Sequence, residues 1–161
     1  MARVLIVGCG CRGQQFAREL RAGGHAVRGT TRYPAHRSDI EAAGAESFLA
    51  DPDRVGTLIP ALAGVSVMCL LLASATGAPD RLEALHTTRL EMLLQRTIDT
   101  TIRGVLYEAK GTNDEALLAT GAGLVETKCR ESRIRFAVLR AEPSDWLAGA
   151  LSATDALLAP D

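Results

Sequence analysis

Aromatic residues are scarce. One Trp, two Tyr and three Phe make up 4% of the 161 residues, so a core has to come from Leu, Val, Ile and Ala, and the 47% apolar content suffices for one. Net charge is close to nil, −1 at pH 7. That gives no global field for nucleic acid or an anionic membrane surface, and neither is expected as a partner. Long apolar runs are missing too. The longest, Val67 to Ala73, falls far short of the roughly 20 residues that cross a bilayer. No signal peptide is expected, since Met1-Ala2 leads directly into the first predicted strand. Cysteine is sparse, and Cys9, Cys11, Cys69 and Cys129 are unevenly spread with no metal-ligand spacing. No metal site is expected, and the default setting is a reduced cytoplasm. Repeats are not visible, and the length suits one domain over residues 1–161.

What is present is concentrated at the start. The apolar run Arg3-Val4-Leu5-Ile6-Val7 leads straight into Gly8-Cys9-Gly10-Cys11-Arg12-Gly13, and Gln14 to Leu20 can open a helix. A continuous apolar run reads as a parallel strand buried on both faces. Glycines spaced Gly-x-Gly-x-x-Gly between strand and helix are the fingerprint of a dinucleotide fold. Gly8 permits the turn, Gly10 lets backbone approach a pyrophosphate, and Gly13 lets the helix pack closely on the strand. The helix N-terminus then offers N–H groups and a positive dipole end to phosphate.

Further along, the predicted strands are His25–Thr30, Ala45–Ala50, Val65–Ala73, Gly104–Tyr107 and Ile134–Leu139. A capping box, Ser38-Asp39-Ile40-Glu41, predicts a short helix that Gly44 ends. Asp53 is expected to cap a helix to about Ala63, which Pro60 kinks or shortens. Leu82, Leu85, Leu90, Leu93 and Leu94 have helical spacing and predict one helix over Asp80–Thr97. Asn113 or Asp114 caps a helix to about Arg133, and Pro143 and Ser144 start the last one, to about Leu158. Strands alternating with helices predict an α/β fold: a single doubly wound parallel (Rossmann) sheet in the order 3-2-1-4-5-6, with helices on both faces.

The cofactor can be read from charge. An NAD site usually carries Asp or Glu at the end of the second strand, for the ribose 2′-hydroxyl. Between Leu20 and Ser38 there is no carboxylate, but there are Arg21, Arg28, Arg32 and Arg37, with Arg12 inside the glycine loop. Guanidinium forks match an adenosine 2′-phosphate, so NADP(H) is preferred over NAD(H). Arg32 is the first choice for that phosphate, with Arg12 and Thr31 supporting it and Arg37 weaker. Arg21 and Arg28 read as solvated faces. Asp51 is placed either to meet the adenine amino group or to make a turn before Pro52.

These motifs, with Leu49-Ala50-Asp51, Val105-Leu106-Tyr107-Glu108 and Phe136-Ala137-Val138-Leu139-Arg140, resemble the atypical and extended short-chain dehydrogenase/reductases. The resemblance is to NAD(P)H-binding, epimerase-like and NmrA-like members, over nearly the whole chain. It implies cofactor contacts from the glycine loop and Arg32, and from Ala73, Ser74 and Ala75 near the nicotinamide ribose. Active members use Tyr-x-x-x-Lys on the helix after the fifth strand. Tyr33 and Tyr107 are the two tyrosines, and four residues on stand Arg37 and Gly111. The dyad would fall near Leu118 and Ala122, both apolar, and the family's substrate domain has no counterpart.

Weak catalytic candidates remain. Glu108 and Lys110 end the fifth strand as an acid/base pair, a substrate anchor or a plain surface ion pair, and Thr112 is close by. Cys9 and Cys11 lie where a helix N-terminus lowers a thiol pKa; they form a redox switch or simply fit a tight loop. His86 is expected to face solvent or a partner, His25 and His36 to lie in loops, Trp146 to anchor packing and Glu142 to face the pocket. Two functions stay open: a minimal oxidoreductase acting on an unidentified small molecule, and a non-catalytic NADP(H)-sensing protein. The resemblance also implies a homodimer through the helices carrying Leu90, Leu93 and Leu94, unless those leucines are core.

Overall fold

A computed structural model describes residues 2–161. Its centre is a six-stranded sheet: β1 (Arg3–Val7), β2 (Ala26–Thr31), β3 (Glu46–Leu49), β4 (Val67–Leu70), β5 (Gly104–Glu108) and β6 (Arg135–Leu139). The strand order is β3-β2-β1-β4-β5-β6 and every pairing is parallel. β1 pairs with β2 through Val4 and Val27 and with β4 through Val4 and Val67. The helices are α1 (Cys11–Ala22), α2 (Arg37–Ala42), α3 (Pro79–His86), α4 (Thr88–Thr97), α5 (Glu115–Ser132) and α6 (Trp146–Leu158).

The pleat sends alternate side chains of β1 to two cores. Val4 and Ile6 join Phe16 and Leu20 of α1, Ile40 of α2 and Ala150 and Leu157 of α6. Leu5 and Val7 join Leu90, Leu93 and Leu94 of α4 and Val125 of α5 on the other face. Being buried on both faces is why the strands read as unbroken apolar runs. The α4 leucines are therefore core residues, the second of the two readings given to them.

Four local expectations are corrected. Ser38 lies inside α2 and makes no capping bond; Glu41 accepts from the Ser47 hydroxyl at 2.6 Å, tying the helix to β3 instead. Asp53 caps no α-helix: the chain makes two 3₁₀ turns, Val55–Thr57 and Ile59–Leu62, since Pro60 and two flanking glycines leave no room for a longer helix. Asp80–Thr97 is two helices, broken at Thr87 (φ −127°, ψ −92°). Arg28 is buried rather than solvated, donating to the carbonyls of Ala61 (2.7 Å) and Ala63 (3.1 Å) and to Glu46 (3.0 Å). It holds the 3₁₀ segment to β2.

Candidate functional site

Where β1 and β4 diverge, the carboxyl ends of the strands open into a cavity of about 430 Å³, within the range of small-molecule sites. The glycine loop forms its floor. Gly8 has φ +84°, and a Cβ there would stand 2.6 Å from the Leu71 carbonyl; only glycine fits. Its N–H donates to the Thr30 hydroxyl, and the Cys9 N–H donates to the Thr30 carbonyl at 3.0 Å. A Cβ on Gly13 would meet Ile6 and Cys9 at 3.3 Å, so α1 packs on β1 as closely as the spacing predicts. Gly29 of β2, which the sequence reading passed over, makes room for the Cys9 thiol: a Cβ there would lie 2.8 Å from the sulfur. Gly10 faces open space. No side chain caps α1 and no acidic residue sits in its first turn, so its N–H groups and positive dipole end face the cavity.

One end of the cavity is built by β2, the turn after β3, and α3. Thr31, Arg32, Asp51 and Asp53 line it with Arg81, Leu82 and Leu85. Thr31 takes the Tyr33 N–H on its hydroxyl at 3.1 Å, and Arg32 donates to the Tyr33 hydroxyl at 3.1 Å. Asp51 accepts the Asp53 N–H at 2.9 Å, the turn chemistry that was one of its two readings, while also lining the cavity. Arg37 points elsewhere, donating to Ser47 at 3.1 Å. Asp53, Arg81 and Arg89 were not singled out for this end. They lie far apart in sequence, and only the packing of α3 and α4 brings them together.

The other end is built around Glu108. Its carboxylate accepts the Trp146 indole N–H (2.7 Å), the Ala73 backbone N–H (3.1 Å) and the Arg12 guanidinium (3.4 Å). Burial pushes its pKa above the ordinary carboxylate value, against those three donors. Arg12 stacks over the Trp146 ring at 5.5 Å, and Trp146 meets Phe16 edge-on at 6.0 Å. Arg12 thus turns toward β5, the side of β1 away from Arg32, and does not support it.

Glu108 and Lys110 are neither an acid/base pair nor a surface ion pair with each other. Glu108 is buried, and Lys110 pairs with Glu142. Lys110, Thr112 and Glu142 do not line the cavity. Ser74 and Ala75 do line it, whereas Ala73 is fully buried behind them.

One further expectation is overturned, and the geometry bears on the two readings of Cys9. His86 is buried, with Nδ1 2.7 Å from the Tyr107 hydroxyl and Nε2 3.1 Å from the Leu72 carbonyl. Burial lowers its pKa and favours the neutral ring; the Leu72 carbonyl can only accept, so the tautomer that donates to it from Nε2 leaves Nδ1 to accept the tyrosine proton. Tyr107 therefore points into the core, against Gly121 of α5. Cys9 is buried and its thiol is pushed up to about 12, so the helix end does not make it a thiolate; Cys11 is exposed and lines the cavity. Among the described residues no three His, Cys, Asp or Glu side chains gather as a metal site, and no helix is long and apolar enough to cross a membrane.

Sheet order, glycine turn and crevice define the class: an α/β Rossmann fold. No family model and no curated protein sequence matches the chain. Solved structures do match. A short-chain dehydrogenase/reductase superfamily protein from Agrobacterium tumefaciens with bound NAD aligns at TM-score 0.70 and 21% identity, over 86% of this chain and 48% of its own. UDP-glucose 4-epimerase from Thermotoga maritima aligns at 0.72 and 15%, over 86% and 54%. Vestitone reductase from alfalfa aligns at 0.66 and 14%, over 86% and 56%. The chain thus shares its fold with these structures, and it spans about half the length of those it matches.

Proposed function

We propose that this chain, as one domain, binds NADP(H) along the cavity and acts through cofactor occupancy rather than by turning over a substrate. The observation that carries the reading is the uncapped N-terminus of α1, which meets the cavity beside Gly10. That cradle fits a pyrophosphate. Bound nicotinamide would supply hydride chemistry. The residues of this chain supply placement: the glycine loop for phosphate, Arg32 for the 2′-phosphate, Ser74 and Ala75 beside the nicotinamide ribose. The Agrobacterium structure with bound NAD supports a nicotinamide dinucleotide, and the arginines of the β2 end favour the phosphorylated form.

A binding role is favoured over catalysis by the state of the β5 end. Glu108 has three donors engaged, Tyr107 is turned into the core, and Lys110 is paired outside the cavity. Neither tyrosine nor lysine is thus presented to the cavity at this end as a proton donor. A minimal oxidoreductase is the second reading, favoured by Glu108 lining the cavity with its pKa raised by burial.

The test is a titration with NADPH and NADH followed by Trp146 fluorescence, since the indole lines the cavity. NADPH should bind more tightly than NADH. Gly10→Asp should abolish binding of both while leaving the fold intact, because a side chain there meets nothing within 4 Å. Arg32→Ala should weaken NADPH alone. Binding of neither nucleotide by the wild-type chain sinks the proposal. NADPH oxidation in a carbonyl-substrate panel, lost in Glu108→Gln, would select the oxidoreductase.

A further inference from the structure

Four charged side chains from four segments meet at the β2 end of the cavity. Asp53 is nearly buried, with 14% of its side chain exposed, and it faces three guanidinium groups. Arg32 Nη1 lies 4.0 Å from Oδ2, Arg81 Nε bonds the same oxygen, and Arg89 Nε lies 3.6 Å from Oδ1. Arg32 and Arg81 line the cavity. Arg89 stands behind it, on a separate small void with His86 and Tyr107. Asp53 Oδ1 and Arg89 Nε are both buried, and neither has a hydrogen-bond partner. One carboxylate is therefore shared unevenly: bonded to a cavity arginine, and held just out of bonding reach of an arginine outside the cavity.

We propose that Asp53 is a displaceable internal counter-ion. In the free protein it holds Arg32 and Arg81; when an adenosine 2′-phosphate arrives it yields both to the phosphate and closes on Arg89. The proposal rests on the NADP(H) reading and adds Asp53, Arg81 and Arg89 to the determinants of specificity. A phosphate monoester presents three oxygens, which two guanidinium forks match better than one carboxylate does. Two anions on the same guanidinium pair repel, so the carboxylate has to leave. Its way out is short. Closing 3.6 Å to an ordinary bond of about 2.9 Å satisfies both orphaned atoms at once. NADH brings only a 2′-hydroxyl and triggers no exchange. Arg89 is then a positioning residue, acting on the ligand through Asp53.

The experiment is the same fluorescence titration of the full chain, read as the ratio of NADPH to NADH affinity. Removing the competing carboxylate with Asp53→Asn should tighten NADPH about tenfold and leave NADH within about twofold. Arg81→Gln should weaken NADPH by about tenfold and spare NADH. Arg89→Gln should weaken NADPH several-fold although Arg89 does not line the cavity, and that loss should vanish in the Asp53→Asn background. Should Asp53→Asn fail to fold, Asp53→Ser makes the same charge change with a smaller side chain. An unchanged or lowered NADPH-to-NADH ratio in the Asp53 variants overturns the proposal, as does an Arg89 effect that persists without Asp53. If the wild-type chain prefers NADPH and these variants do not move the ratio, only the counter-ion idea falls. If it binds neither nucleotide, the NADP(H) reading falls and takes this proposal with it.

Discussion

At the level of single residues, Glu108 carries the most consequence. Its three donors come from α1, the turn after β4 and α6, so one carboxylate joins three segments. Glu108→Gln keeps the shape but turns an amide N–H toward one of those donors. It should destabilise the fold by roughly 1–3 kcal/mol at neutral pH, read by urea unfolding. Because burial raises the carboxyl pKa, the fold favours the protonated form. The proton-linked part of Glu108's contribution is then fullest below the ordinary carboxylate value and is lost as pH rises through the raised one, which leaves the hydrogen-bond part in place at neutral pH. The gap between wild type and Glu108→Gln should widen on acidification, and a gap that narrows would contradict the burial argument. The thiols give a second residue-level test. Cys9, Cys69 and Cys129 are buried and Cys11 is exposed. Burial pushes Cys9 and Cys69 up to about 12 and Cys129 to about 11. Alkylation of the native protein near neutral pH, read by mass spectrometry, should label Cys11 and spare the others. Early labelling of Cys9 would restore the redox-switch reading.

At the level of elements, the helix ends separate signals the fold uses from signals it ignores. Asp114 accepts the Leu117 N–H at 3.1 Å and caps α5, whereas Ser38 caps nothing. Asp114→Ala should cost about 1 kcal/mol. Ser38→Ala should be neutral or slightly stabilising by thermal melt, since alanine is the better helix former inside α2. A loss at Ser38 equal to that at Asp114 would mean the capping box forms after all. The same contrast explains what was legible in the sequence. Unbroken apolar runs and the Gly8-x-Gly10-x-x-Gly13 spacing encode local backbone demands, so the strand order and the glycine turn could be read directly. The break at Thr87 could not, because Leu82 and Leu85 face the cavity side while Leu90, Leu93 and Leu94 face the core; two helices share one apolar period. Pairings such as Glu108–Trp146, His86–Tyr107, Asp53–Arg81 and Asp53–Arg89 join residues 21 to 38 positions apart and have no local signature.

At the level of the whole molecule, ligand and fold are linked, since the proposed cofactor touches the ends of β1, β2, β4 and β5 and the start of α1. Those segments separate on unfolding, so the dinucleotide has no site in the unfolded chain and must stabilise the native one by mass action. At a concentration one hundred times Kd, that stabilisation is about 2.7 kcal/mol. For a chain of this length it amounts to a rise in Tm of about 5–10 °C. NADPH should therefore raise Tm more than NADH at equal concentration. Gly10→Asp should melt where the free wild type does, its side chain standing in open space beside the dipole end of α1, and neither nucleotide should shift it. An equal shift in Gly10→Asp would place the nucleotide somewhere other than the glycine loop. Equal shifts by NADPH and NADH in the wild type would keep the loop as the phosphate site and remove the arginines of the β2 end from the choice of cofactor.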